Sequence, residues 1–156
     1  MLEIKKNWEN IVVVTWDKKE ILLWITKSHV SIDGLEVNFP WEYEKSEILL
    51  EVKSYNWNLY YNFSNEGKTV VYFFDENFEM KEEIMSFFWD VDLLIIRGSK
   101  ESVKVFENIE ARVVVAFGEG KDVFLNALGQ HGEAVKSYKV KADSSLDMTE
   151  FVNLEG

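Results

Sequence analysis

The run Gly118-Glu-Gly-Lys121 could bind phosphate, because two glycines and a lysine stand where an apolar run ends and a helical pattern begins. At such a junction, free backbone N–H groups can hold an anion. A P-loop, however, has a glycine separated by four residues from its Gly-Lys pair and a Ser or Thr after it. This chain has Val115 and Asp122 at those places. A tight structural turn is the alternative interpretation. The candidates for ligand binding are Gly118, Gly120 and Lys121.

Aromatic residues with polar neighbours form a second set of candidates. The chain contains six Trp, six Tyr and eleven Phe, and core packing must account for most of them. Aromatic side chains are also enriched at the centres of protein interfaces. Two short segments place aromatics among polar residues near predicted strand ends, where partial exposure is expected. We predict an interaction surface at Trp41, Tyr43, Tyr55 and Trp57.

Composition and charge limit the chemistry that is open to the chain. Its 156 residues include no cysteine and only two histidines, so disulfides, thiolate metal sites and thiol nucleophiles are excluded. The formal net charge is −11, and an acidic field opposes the approach of a phosphate backbone. We therefore expect a protein partner or self-association, and not nucleic acid.

The same composition bears on location and source. No apolar run is long enough to cross a membrane, and the first residues lack the apolar stretch of a signal peptide. A cytoplasmic location is expected. Abundant Lys and Glu with a single Gln favour a thermophilic source.

The first part of the chain, residues 1–76, reads as consecutive β-hairpins. Short aromatic and β-branched runs alternate there with turn residues. The strongest hairpin signal is Asp33-Gly34 between two apolar runs, because both central positions of such a turn need a positive φ. Asn65-Glu66-Gly67 predicts another hairpin, and the only proline, Pro40, ends a strand. We expect antiparallel strands throughout this part.

The second part, residues 77–141, alternates strands with helices. The patterns predict helices after Asn77, over 99–109 and over 121–128, strands over 93–96 and 113–117, and an edge strand over 135–140. Two of these strands are continuously apolar, which is typical of parallel strands covered on both faces. A βαβα unit is therefore expected, followed by a C-terminal tail over 142–156. No linker separates the parts, so we predict one domain over 1–156.

Five stretches follow one another in an order that a known family shares. They are Trp41-Glu-Tyr-Glu44, Val70-Val-Tyr-Phe-Phe-Asp75, Val91-Asp-Leu-Leu-Ile-Ile96, Ala111-Arg-Val-Val-Val115 and Phe124-Leu-Asn-Ala-Leu-Gly129. In this order the chain resembles the small metallo-β-lactamase-like hydrolases. The resemblance implies an α/β (α+β-like) fold, a metallo-β-lactamase-like αββα sandwich.

The resemblance also implies where metal ligands would lie. The family uses a His-x-His-x-Asp-His loop, a bridging Asp and a late His, and imidazole suits zinc. Here His29-x-Ser31-x-Asp33-Gly34 aligns with the loop, so one His and the Asp remain. Asp75 falls at the bridging Asp, and Gly118 stands at the place of the late His.

Most of the metal ligands are therefore missing, and we expect no cofactor. The hypothesis is a non-catalytic cytosolic protein with an eroded metal site, acting as a self-associating or regulatory module. One alternative is a weak metal-dependent hydrolase in which His29, Asp33 and Asp75 hold a divalent metal such as zinc. A small-ligand-binding domain that uses the 118–121 turn is another. A hairpin turn at Asp33-Gly34 and a helix start near Asp75 explain those residues without any metal.

Overall fold

The computed structural model describes residues 2–15, 17–74, 81–88, 90–140 and 149–155. The strands are β1 (Leu2–Lys6), β2 (Asn10–Val14), β3 (Glu20–Trp24), β4 (Val30–Ile32), β5 (Leu35–Val37), β6 (Trp41–Lys45), β7 (Ile48–Tyr55), β8 (Asn58–Asn65), β9 (Lys68–Phe73), β10 (Leu93–Arg97), β11 (Val113–Phe117), β12 (Ser137–Val140) and β13 (Glu150–Asn153). The helices are α1 (Glu82–Met85), α2 (Ser102–Ile109) and α3 (Lys121–Ala127). No described helix has both the length and the apolar character needed to span a membrane.

The strands divide into two sheets at the corner after β5. The first sheet is antiparallel and has the order β12-β1-β2-β3-β4-β5. The second sheet has the order β13-β11-β10-β9-β8-β7-β6. Its strands β6 to β9 pair antiparallel, whereas β9, β10, β11 and β13 pair parallel. The predicted antiparallel hairpins and the later parallel βαβ unit are confirmed.

Local turn chemistry explains where the hairpins form. Asp33 and Gly34 have φ of 46° and 87°, and Glu66 and Gly67 have φ of 49° and 76°. These values are the paired positive φ angles of a two-residue hairpin turn. Glycine reaches them without the Cβ penalty that other residues carry. Both predicted turns are therefore confirmed.

Two apolar layers hold the sheets and helices together. The first lies between the sheets, and the second lies between the second sheet and the helices. Alternate residues of β10 serve both layers: Leu93 and Ile95 belong to the first, and Leu94 and Ile96 belong to the second. This double burial is why β10 and β11 are continuously apolar in sequence.

The helices of the described segments all pack on the second sheet. A helical layer on the outer face of the first sheet, which the αββα prediction requires, is not found among the described residues. The predicted helix after Asn77 lies partly outside those residues, and α1 begins at Glu82. The predicted edge strand is β12, which pairs with β1 at one edge of the first sheet.

Candidate functional site

The carboxyl ends of four strands meet at one end of the two-sheet structure. Strands β9, β10 and β11 are parallel neighbours, so they deliver their last residues to the same edge. The end of β3 in the first sheet reaches the same place, because the Tyr72 hydroxyl donates a hydrogen bond to the Trp24 carbonyl oxygen at 2.7 Å. We call this region the strand-end site and define it by Ile25, Phe74, Arg97, Phe117 and Gly118.

Arg97 occupies the centre of the strand-end site. Its Nε donates to the Phe74 carbonyl oxygen at 3.0 Å, and its Nη2 donates to the Ile25 carbonyl oxygen. The guanidinium carbon lies 4.8 Å from the Phe74 ring centroid and 5.0 Å from the Phe117 ring centroid. Both distances suit cation–π attraction. The Arg97 side chain therefore joins the two sheets. It contacts Ile25, in the loop after β3 of the first sheet, and Phe74 and Phe117, at strand ends of the second sheet.

Gly118 provides the room that Arg97 uses. A Cβ atom at position 118 would lie 3.3 Å from Arg97 Cγ and 3.5 Å from Arg97 Nη1. A larger side chain there would compete with the guanidinium for the same space. Sequence reasoning missed Arg97. The available signal was a single arginine at the end of a buried apolar run.

The predicted metal ligands have separate surroundings. The His29 ring meets the Trp24 ring edge-on at 4.8 Å, and its Nε2 lies 3.7 Å from a carboxylate oxygen of Glu36. The Asp33 carboxylate accepts a hydrogen bond from the Ser46 hydroxyl. Because β4 lies between His29 and Asp33, about 13 Å of extended chain separates them. Each of the two side chains therefore has partners of its own, and Asp75 lies outside the described residues.

The predicted ligand-binding turn is engaged in contacts within the chain. Lys121 Nζ donates to the Leu154 carbonyl oxygen at 2.7 Å. The 118–121 turn also packs directly against the turn that follows β10. A Cβ on Gly98 in that second turn would lie 2.7 Å from Lys121 N and 2.9 Å from the Gly120 carbonyl oxygen. These contacts support the interpretation of 118–121 as a tight structural turn.

A solved structure shares this architecture. It is the crystal structure of a Thermotoga maritima protein described as a candidate Zn-dependent hydrolase of the metallo-β-lactamase superfamily. The match covers 100% of both chains, with a TM-score of 0.77 and 15% sequence identity. This chain has the metallo-β-lactamase fold. No protein-family model matches the sequence, and no curated protein does.

The metal site implied by the metallo-β-lactamase fold does not fit the residues described. No group of three or more His, Asp or Glu side chains within the described ranges is arranged to hold a metal. The strand-end site instead holds a guanidinium, which is a fixed cation that cannot ligate a metal. Two like unit charges 4 Å apart repel by about 4 kcal/mol at an effective dielectric constant of 20. Arg97 therefore disfavours a divalent cation beside it.

Two tyrosines of the second sheet form hydrogen bonds with the end of β3 and with the loop that follows it. Tyr72 donates to the Trp24 carbonyl oxygen, and the Tyr61 hydroxyl lies 3.0 Å from the Ser28 hydroxyl. Burial raises the pKa of both phenols above the ordinary 10.0. Their ionisation is therefore coupled to the stability of the fold.

Tyr72→Phe is expected to reduce the fall in the free energy of unfolding that occurs as the pH rises above 10. Above pH 10 the unfolded chain releases the Tyr72 proton while the folded chain keeps it, so stability falls as pH rises. The slope for one such tyrosine approaches about 1.4 kcal/mol per pH unit. Urea unfolding at about pH 8 and about pH 11 should show a smaller drop for the variant. Equal drops in the two proteins would contradict the coupling.

The four predicted interface aromatics differ in exposure. Trp41 is 73% exposed on the edge strand β6, and Trp57 is 99% exposed in the β7–β8 turn. Tyr43 packs against the layer between the sheets and donates to the Phe39 carbonyl oxygen at 3.0 Å. Tyr55 packs against the helix-side layer. The two tryptophans are the members of the set that a partner could reach most readily.

Proposed function

We propose that this chain is a non-catalytic protein built on the metallo-β-lactamase fold, with Arg97 in place of a metal centre. One observation carries the proposal. The Arg97 guanidinium fills the strand-end site beside Gly118, the position that the resemblance matches to the late His. The space that a metal-binding side chain would need is occupied by Arg97, and a guanidinium cannot bind a metal.

The chemistry of arginine supports a structural role. A guanidinium has five N–H donors and no acceptor, and it stays protonated at any ordinary pH. It therefore cannot take a proton from water as a general base does. It can hold carbonyl oxygens of different segments together, as it does with Ile25 and Phe74. In this protein the strand ends are fixed by hydrogen bonds and ring contacts.

The exposed aromatics support a role as a self-associating or regulatory module. Phe39 and Trp41 are 68% and 73% exposed, and they lie where the chain passes from the edge of one sheet to the edge of the other. Aromatic side chains of this size are typical anchors in protein interfaces. A partner chain or a second copy would cover them.

Metal analysis and hydrolysis assays test the non-catalytic role. Protein purified without chelator should contain far less than one zinc, iron or manganese ion per chain. It should not hydrolyse phosphodiester, ester or lactam substrates above the buffer rate, even after metal loading. The alternative hydrolase uses His29, Asp33 and Asp75. Stoichiometric metal together with hydrolysis that Asp75→Ala abolishes would establish that alternative and overturn the proposal.

A further inference from the structure

The outer side of strand β6, which we call the β6 edge, is an open edge of the second sheet. Strand β6 is the last strand of that sheet and pairs with β7, from Trp41 opposite Val52 to Lys45 opposite Ile48. Within the described parts of the chain, no strand lies on its other side. An open edge presents unpaired backbone N–H and C=O groups, and a further strand can pair with them.

The 46–47 turn determines which residues of β6 face outward. Its two residues have φ of 54° and 66°, as a two-residue hairpin turn requires. In such a turn the carbonyl oxygen of the residue before it accepts from the N–H of the residue after it, here Lys45 and Ile48. Hydrogen-bonded and non-hydrogen-bonded residues alternate along an antiparallel pair. The backbone groups of Glu44 and Glu42 therefore point away from β7, towards an added strand.

The side chains of both outward-facing residues are acidic. Neighbouring residues of a strand point to opposite faces, and Tyr43 packs against the layer between the sheets. Glu42 and Glu44 therefore lie on the helix-side face, where Glu42 is directly opposite Glu51 of β7. Like charges in that position are destabilising. A cation opposite Glu42 on an added strand would offset this repulsion.

A cleft of about 500 Å³ lies beside these carboxylates. Its lining residues are Pro40, Trp41, Glu42, Glu51, Val52, Lys53 and Phe87. The lysine among them has its Nζ 5.9 Å from the Phe87 ring centroid. Two carboxylates and one ammonium group leave the lining with a net negative charge. A long basic side chain from a partner is therefore attracted to this face.

A second copy of β6 fits the β6 edge badly. A two-fold antiparallel pairing centred on Tyr43 sets Glu42 of one copy opposite Glu44 of the other. A pairing centred on either glutamate sets that glutamate opposite itself. Each of these registers brings like charges together, and charge on an edge strand is a common protection against self-pairing. The β6 edge therefore selects against a second copy and in favour of a basic strand.

The opposite face of β6 favours apolar residues in the partner. Trp41 shares this face with Tyr43, because the two are separated by one residue. Its side chain is 73% exposed. A β-branched residue beside an aromatic one on a neighbouring strand is a stabilising pair. Apolar residues at alternate positions of an added strand would cover Trp41.

We infer that the β6 edge binds an extended segment of a partner protein in which basic and apolar residues alternate. The segment adds an antiparallel strand to the second sheet, with its basic residues opposite Glu42 and Glu44. The inference rests on the proposed regulatory role and states the chemistry of the partner that this role needs.

Titration of the intact protein with a capped peptide that alternates lysine and valine over about seven residues tests the β6 edge. Trp fluorescence and calorimetry should both report binding, because Trp41 lies beside the added strand. High salt should weaken this binding. Methylation of the lysine amide nitrogens should abolish it, since those N–H groups face β6. Methylation of the valine amide nitrogens should preserve it, since those groups point away.

A charge reversal in the protein tests the charge of the partner. Glu42→Lys should weaken binding of the lysine–valine peptide about tenfold or more and strengthen binding of the corresponding glutamate–valine peptide. The matched control is Glu20→Lys, at an exposed glutamate of β3, which has a paired strand on each side. This control should bind as the parent protein does. Glu42→Lys should unfold at no lower temperature than the parent, because it sets opposite charges across β6 and β7.

Three outcomes would overturn the inference. The first is no binding of the lysine–valine peptide at concentrations up to about 1 mM. The second is equal binding of the two methylated peptides, because charge alone would then hold them. The third is a parent protein that sediments as a dimer and excludes the peptide, which would make a second copy the occupant. Metal content and hydrolysis decide the non-catalytic role separately, so that role would stand in each case.

Discussion

Arg97→Ala should lower the free energy of unfolding by about 2–4 kcal/mol, since a hydrogen bond to a charged group contributes about 1.5–3 kcal/mol. The variant removes both donors to the Ile25 and Phe74 carbonyl oxygens. It also opens a gap between the Phe74 and Phe117 rings, and the lost contacts add to the cost. Urea unfolding at neutral pH, followed by circular dichroism, measures the change.

The other arginine of the chain provides the matched control. Arg112 is 44% exposed and forms ion pairs with Asp90 and Asp92. Arg112→Ala should cost about 1 kcal/mol, because Arg112 and Asp90 are exposed and only Asp92, at 12% exposure, is largely buried. Arg97→Lys should fall between the two, because lysine keeps the charge and loses the planar fork. If Arg97→Ala is as mild as Arg112→Ala, Arg97 does not hold the strand ends together.

Gly98→Ala should be even more damaging, at about 3 kcal/mol or more, because an overpacked site commonly costs 1–3 kcal/mol even where side chains can move. The new Cβ would lie 2.7 Å from Lys121 N and 2.9 Å from the Gly120 carbonyl oxygen. Both are backbone atoms of a turn that is held at its far side by the Lys121 to Leu154 hydrogen bond. Relief of the clash requires the two turns to separate. Thermal and urea unfolding should both report the loss.

Two further glycine variants show whether the crossing is the cause. Gly120→Ala meets the Gly98 backbone from the opposite side, so it should cost as much. Both substitutions push the same two turns apart. The double variant should therefore lose less free energy of unfolding than the sum of the two single losses. Gly132→Ala meets nothing within 4 Å and should change stability by less than about 0.5 kcal/mol. A Gly98→Ala protein as stable as Gly132→Ala would refute the close crossing.

The parts of the fold that local sequence determines were predictable. Asp33-Gly34 forms a hairpin turn because both residue types tolerate the positive φ angles that the turn needs. The double burial of β10 was visible as an unbroken apolar run. Arg97 was not predictable in the same way. Its acceptor Ile25 is 72 residues away along the chain, and no local pattern relates the two.

The candidate metal residues show a second limit of sequence reasoning. Matching residue types placed His29 and Asp33 in one loop, as the resembling family would have them. In this fold β4 runs between them, and each side chain takes its own partner. The direction of each side chain follows from the sheet register, which depends on distant strands.

The pairing of β1 with β12 also bears on how the protein reaches its native state. Leu2 pairs with Val140, so one edge of the first sheet joins segments that are far apart in sequence. During synthesis β1 can form its hairpin with β2 early, but its outer edge stays open until residue 140 has left the ribosome. Closing so long a loop is slow. Through that interval the exposed strand edge is a point at which nascent chains can aggregate.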